Sequence, residues 1–309
     1  MKHSVKITII LLGMFFLAQL IGIWVVNSYS PEIKQVTDEN GTVTNVTSYN
    51  LPYGMEPPQD INPKASLISI IIAIAIAIVA MFLLMKFGAT LFLRLWFFIV
   101  IVLALGIAIN AIVKSLPYAS IIALVISLPL AYFKVFQRNI VVHNLTELFI
   151  YPGIASIFVP LLNIWTIVAL LILISLYDMY AVWHAGFMQK MAKYQIKTLR
   201  VFSGLFIPYM GRKERELIKN ARISKSSMKK AKKIKINIAI LGGGDIVFPI
   251  ILAGVVLRTL GILPAIIISI GATLALAFLF YISEKGKFYP AMPFISIGCF
   301  IALVVAYLI

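Results

Sequence analysis

The chain has 309 residues, of which 61% are hydrophobic and only 12% charged, and its mean hydropathy is +1.01. Long runs free of any charge exclude a soluble globular domain and imply a polytopic membrane protein. The formal net charge of +16 gathers beside apolar runs, which points to membrane topology and anionic lipid headgroups rather than to nucleic acid.

Taken in chain order, nine apolar stretches are close to the length a helix needs to cross hydrocarbon: 7–26, 65–85, 91–113, 117–135, 145–162, 163–188, 237–258, 262–281 and 291–309. The fold class is therefore an all-α polytopic membrane protein with nine transmembrane helices. Only Pro160 and Asn163 separate the fifth stretch from the sixth, so one kinked helix is the competing reading there. The first stretch follows a basic MKHSVK but runs full length with no small-residue cleavage site after it, which predicts an uncleaved anchor.

Charge supports nine crossings. With the N-terminus inside, inner segments hold Lys2, Lys6, Lys86, Arg94, Lys134, Arg138, fifteen Lys/Arg from Lys190 to Lys235, Lys285 and Lys287, together 23 of the 27 basic residues. Lys34, Lys64, Lys114 and Arg258 fall outside, where the first loop also carries Glu32, Asp38, Glu39, Glu56 and Asp60. The positive-inside rule then puts the C-terminus outside. Three parts result: a half with six helices (1–188), a basic inner loop (189–236), and a half with three helices (237–309).

Within the basic loop, KSSMKKAKKIK lacks the interleaved aromatic residues of a stacking platform, so no nucleic-acid partner is expected. The same loop contains the apolar VFSGLFIPYM with Gly204 and Pro208, which reads either as an element lying in the membrane interface or as a strand near a reaction site.

Most catalytic chemistries lack parts. Cys299 is the single cysteine, and His3, His143 and His184 are far apart in sequence. No HExxH is present, and Ser203-Gly204 lacks the glycine two places before a nucleophilic serine, so neither a zinc site nor a serine protease is indicated and no cofactor is expected. Sequons at Asn40 and Asn45 fall in the first outer loop.

Two acids remain. Asp178 lies twelve residues before Lys190 and Asp245 ten after Lys235, each within an apolar stretch. At helical rise both carboxyls stand roughly 15–18 Å from the same membrane face, level with each other on antiparallel helices. Ionisable groups at such depth are costly and mark function, and each acid is the other's obvious partner. Gly242, Gly243 and Gly244 strip side chains from the turn before Asp245, and Pro249 removes the donor that would bond its carbonyl. This weak turn gives water and an extended peptide access to the carboxyl, although the glycines alone also suit close helix packing. Ala181 and Ala185 follow Asp178 at helical spacing and offer a small face. Two carboxyls a few ångströms apart cannot both ionise, so they share a proton and supply both acid and base.

Tyr177-Asp178 in the sixth stretch, Gly242-Gly243-Gly244-Asp245 in the seventh and Pro290-Ala291-Met292-Pro293 opening the ninth resemble, in order, the YD, GxGD and PAL motifs of the presenilin and signal-peptide-peptidase class of intramembrane aspartyl proteases. The inside N-terminus and Pro293 after the third PAL position are most similar to archaeal presenilin homologues. Met292 in place of leucine nearly conserves volume. The resemblance implies an aspartic endopeptidase that hydrolyses peptide bonds within transmembrane helices of single-pass proteins. It implies Asp178 and Asp245 as catalytic acids, with Tyr177, Gly242, Gly243, Gly244, Pro290, Ala291 and Met292 shaping the substrate cleft, though the prolines also suit a helix start. It further implies membrane-protein substrates, an archaeal cell membrane as the location, no metal, and leaves homo-oligomerisation open. No long outer domain is present, so nothing in the sequence demands the partner subunits that eukaryotic presenilins recruit. A proton-coupled transporter is the alternative, since paired membrane carboxylates and broken helices serve proton relay too, but no repeat relates the halves. A noncatalytic scaffold leaves the level acids unexplained.

Overall fold

A computed structural model describes residues 5–37, 43–58, 61–137, 139–185, 202–209, 237–284 and 289–309. Among these, nine α-helices follow in order: α1 Val5–Ser28, α2 Pro63–Lys86, α3 Thr90–Val113, α4 Ala119–Tyr132, α5 Ile140–Phe158, α6 Ile164–Tyr180, α7 Gly243–Leu260, α8 Ile262–Ile282 and α9 Met292–Leu308. Eight spans are long and apolar enough to cross a bilayer, and α9 is a shorter apolar helix. Lipid offers no partners for a backbone, so an apolar run at membrane depth closes its own hydrogen bonds as a helix. The charged run of the basic loop, Arg138, and Lys285 with Lys287 lie outside the described residues.

Asparagines set several boundaries. The Asn62 side chain accepts from the N–H groups of Lys64 and Ala65 to start α2, and Asn139 accepts from Val141 and Val142 to start α5. Between α5 and α6 the chain makes a short 3-10 turn, Val159–Leu161, after which Asn163 and Thr166 form a reciprocal capping box. The fifth and sixth apolar stretches are thus two helices, not one kinked helix.

The seventh stretch differs from expectation at its start. Residues Asn237–Gly242 form a strand and the helix begins only at Gly243. With β1 (Glu32–Thr37) and β2 (Val43–Ser48) pairing as an antiparallel hairpin, β3 is Gly204–Tyr209 and β4 is Asn237–Gly242. β3 and β4 are antiparallel, with Phe206 opposite Ile240 and Gly204 opposite Gly242. Of the two readings of VFSGLFIPYM, the strand is the one observed. Alternating Ile residues favour a pleated, half-buried backbone, and the glycines after them release it into the helix.

The core is built around α1, which packs against α5, α7 and α8. Phe15, Ala18 and Gln19 of α1 are fully buried, and Gln19 Nε2 donates to the Ile246 carbonyl at 3.1 Å. This helix is more than an anchor: it is a central post of the bundle. By contrast α2 buries only Ile70. Leu67 and Ile74 pack partly against the core, while Ile68, Ile72, Ile76 and Val79 face outward, as a helix bathed in lipid permits. At the C-terminal end α8 and α9 approach closely through Gly271 and Gly298, where a Cβ on Gly271 would stand 2.7 Å from the Gly298 carbonyl oxygen.

Candidate active site

Asp178 occupies the last turn of α6, and Asp245 the first turn of α7. The strand ahead of Gly243 breaks the assumption of helical rise on both sides, so the two acids are level because both sit at the same end of the bundle, at helix ends rather than mid-helix. Asp178 lies within direct electrostatic reach of Asp245. Asp178 is 6% exposed, whereas Asp245 is partly open to its surroundings.

Each carboxyl is held by backbone donors. Asp178 Oδ2 accepts from the Met292 N–H at 3.1 Å, and the Ala291 N–H also donates to this carboxyl. These are N-terminal amides of α9, unpartnered within that helix and aimed outward, so the PAL-like segment presents a helix N-terminus to the acid. Pro293, in the first turn, has no N–H to leave orphaned. One turn before Asp178, Ser175 Oγ donates to Ser296 Oγ at 2.9 Å and joins α6 to α9 a second time.

Asp245 is held differently. Gly242 is the N-cap of α7, and the Asp245 side chain, three residues on, turns back to accept from the Gly242 N–H. A Cβ on Gly242 would lie 3.1 Å from Asp245 Oδ2, so the glycine leaves room for the carboxyl. Behind this turn a Cβ on Gly243 would meet Tyr151 Oη at 2.8 Å and Ser203 Oγ at 2.9 Å. Gly244 is exposed, and there a Cβ would meet nothing nearer than Phe248 at 3.7 Å.

The three glycines thus have different tasks, and their alanine variants separate them. Gly243→Ala should lower kcat/KM by about tenfold or more, because the buried Tyr151 ring has no space to retreat and the turn carrying Asp245 must shift. Gly244→Ala should keep most of the activity. Peptide cleavage rates for the two purified variants check this, and equal losses would show that glycine flexibility, not space, is what matters.

Tyr177 is 37% exposed beside Asp178, and Pro290 is buried. Ala181 is buried, continuing the small face below Asp178. An apolar groove of about 670 Å³ opens between α2 and the wall formed by α5, α6 and α7, lined by Ile70, Ala73, Phe158, Leu170, Val247 and Phe248 but by neither acid. Val247 and Phe248 follow Asp245 directly along α7.

A model of the family described as signal-peptide peptidase, presenilin aspartyl protease matches residues 46–309. The chain belongs to this family. As an intramembrane aspartyl protease it resembles two solved crystal forms of a presenilin family intramembrane aspartate protease. The C222 form is 18% identical with a TM-score of 0.59, covering 97% of this chain and 98% of that one. The P2 form is 17% identical with a TM-score of 0.58, covering 96% of each chain. At such identity the likeness speaks for the fold. No match was found among curated proteins. Family membership sets aside the transporter reading and makes the protease a multi-pass membrane protein acting on membrane-protein substrates.

One group of buried polar residues was not anticipated from sequence. In the first half of α5, His143, Asn144, Glu147 and Tyr151 lie one turn apart or adjacent, and Glu147 pairs with Lys134 just beyond α4. Lys134 and Glu147 are 4% and 0% exposed. The signal was an acid, Glu147, inside the fifth apolar stretch, with a histidine and an amide, His143 and Asn144, just ahead of it.

Proposed function

We propose that Asp178 and Asp245 are the paired acid and base of peptide hydrolysis. The observation that carries the reading is that the two carboxyls lie within electrostatic reach of each other at neighbouring helix ends, Asp178 against the amides that start α9 and Asp245 against the Gly242 amide. One ionised and one protonated carboxyl are the working form. The ionised member takes a proton from water as the water oxygen attacks the scissile carbonyl, and the protonated member gives its proton to the carbonyl oxygen. The gem-diol then collapses: one hydroxyl proton returns to a carboxylate, the C–N bond breaks, and the leaving nitrogen is protonated. Macroscopic titration belongs to the pair.

The substrate is a transmembrane segment unwound near the acids. Support comes from the outer edge of the hairpin. Among the described residues β3 packs against α1, α5 and α7, whereas β4 packs chiefly on β3 and on α7, its own continuation. In the pairing that places Phe206 opposite Ile240, the backbone groups of Ile238 and Ile240 point away from β3, and the Ile240 side chain is 43% exposed. A peptide adding as a strand there would run toward Gly242 and the acids, while its still helical part rests in the apolar groove beside α2. Gly242, Gly243, Gly244, Tyr177, Pro290, Ala291 and Met292 bound the cleft. Incubating the purified protein with a transmembrane peptide and reading the products by mass spectrometry tests the activity; an uncut peptide in every detergent and lipid tried would sink it.

For orientation we propose the N-terminus inside, the C-terminus outside, and the basic loop 189–236 inside between the two halves, on the strength of the charge distribution. In a Cys299→Ala background, cysteines at Ser48 and Ser226 should label from opposite sides of oriented vesicles, Ser48 from outside. Labelling of both from one side requires an odd change in the number of crossings between them.

A further inference from the structure

Three outward backbone groups of strand β3 are taken up by side chains of α5. Asn144 Nδ2 donates to the Phe206 carbonyl at 2.9 Å, and the Phe206 N–H donates to Asn144 Oδ1 at 3.1 Å. One amide therefore satisfies both groups of one residue, as a neighbouring strand would. Two residues earlier, His143 Nε2 lies 2.8 Å from the Gly204 carbonyl, and two residues later Pro208 has no N–H. Outward positions on a strand recur every second residue, so Gly204, Phe206 and Pro208 form one edge, occupied at two points by side chains and lacking a donor at the third.

The occupying side chains are themselves fixed. Lys134 Nζ is 3.3 Å from His143 Nδ1 and ion-pairs with Glu147 Oε1, which lies 3.5 Å from His143 Nε2. An ammonium has no lone pair, so Nδ1 accepts, and the proton sits on Nε2, where it is donated to Gly204. The His143 ring also packs at a tilt of 44° against Phe206, with centroids 4.5 Å apart. Lys134 and Glu147 hold each other in place because removing either leaves a buried charge without its partner.

We propose that His143 and Asn144 are specificity-determining residues that set the cleavage register. They occupy the edge of β3 in place of a strand, restrict a substrate strand to the outer edge of β4, and lock β3 so that β4 cannot slide along it. β4 runs without a break into Gly242 and Asp245, so the register of this hairpin fixes which substrate bond faces the acids. The inference rests on the catalytic reading above.

The test is Asn144→Leu, with His143→Phe as a second site and Asn144→Gln as the variant that keeps the amide but lengthens the arm. Each is assayed against one transmembrane peptide, with products identified by mass and kcat and KM determined separately. A backbone hydrogen-bond pattern repeats every two residues, and a slip of one would turn every side chain to the other face. The expected result is therefore that the dominant product falls below half of total cleavage, new products appear displaced by two residues, and KM rises more than kcat falls. An unchanged set of products in variants that fold, whether at full rate or with kcat alone reduced, would overturn the assignment and leave α5 a structural support. A failed catalytic reading is separate: it shows as cleavage surviving the loss of Asp178 or Asp245, whatever the Asn144 variants do.

Discussion

Asp178→Ala and Asp245→Ala should each reduce cleavage of a transmembrane peptide by about 10³-fold or more, because a lone carboxyl cannot serve as acid and base in the same step. Removing both should add little, since residues acting as a unit are not additive. The two variants should differ in stability. Asp178 accepts from the buried Met292 N–H and from Ala291, so its alanine variant strands amides at the start of α9, at a cost of about 1–3 kcal/mol. Asp245 is more open and its partner amide lies at the end of a strand, so its alanine variant should melt closer to wild type. Turnover by mass spectrometry and thermal unfolding in detergent measure both effects. A single variant retaining most of the wild-type rate would refute the pairing.

Much of the fold is legible in the chain because lipid leaves the backbone so few choices. Every apolar stretch drawn from the sequence overlaps one of the nine described helices, and caps at Asn62, Asn139 and Asn163 set three of the starts in the structure. The failure at Asn237–Gly242 is instructive. Hydropathy cannot tell six apolar residues of strand from the first turns of the helix they join, and only the partner Gly204–Tyr209, far away in sequence, decides between them. That error hid the situation of Asp245, which lies at a strand-to-helix junction. The central place of α1 was hidden as well, because an apolar side chain reads alike whether it faces lipid or protein. Gln19, fully buried and bonded to Ile246, was the one clue along that helix.

The acids themselves were legible, as rare ionisable residues in apolar surroundings are. What holds them was not. That Met292 and Ala291 serve through their backbone amides cannot be read from their side chains, and a motif names the residues without giving the reason. In this site the reason is a helix N-terminus delivered to a carboxylate, which explains why a leucine-to-methionine change at Met292 is compatible with the arrangement: the N–H is the same for either residue. The polar stripe of α5 went unread because its meaning depends on β3, whose edge it covers.

A hydroxyl held between the two acids should bind far better than the group it replaces. Peptide isosteres with a hydroxyl at the scissile position mimic the tetrahedral intermediate, accepting from the protonated carboxyl and donating to the ionised one, and a methylene at the same position can do neither. Mimics of this kind gain on the order of 10² or more over substrate-like ligands. The advantage should vanish in Asp178→Asn and Asp245→Asn protein when binding is measured directly by titration. Asparagine keeps the shape and one acceptor oxygen, so whatever is lost reports the shared proton rather than the packing of the cleft. The same requirement for one ionised and one protonated acid gives cleavage a bell-shaped dependence on pH, whose two limbs belong to the pair. A single asparagine variant leaves one carboxyl to titrate, so its inhibitor binding should follow one limb only. Equal affinity of the hydroxyl and methylene ligands for wild type, or a cleavage rate flat from acid to neutral pH, would leave Asp178 and Asp245 as structural anchors for α7 and α9 and send the search for the catalytic groups elsewhere in the bundle.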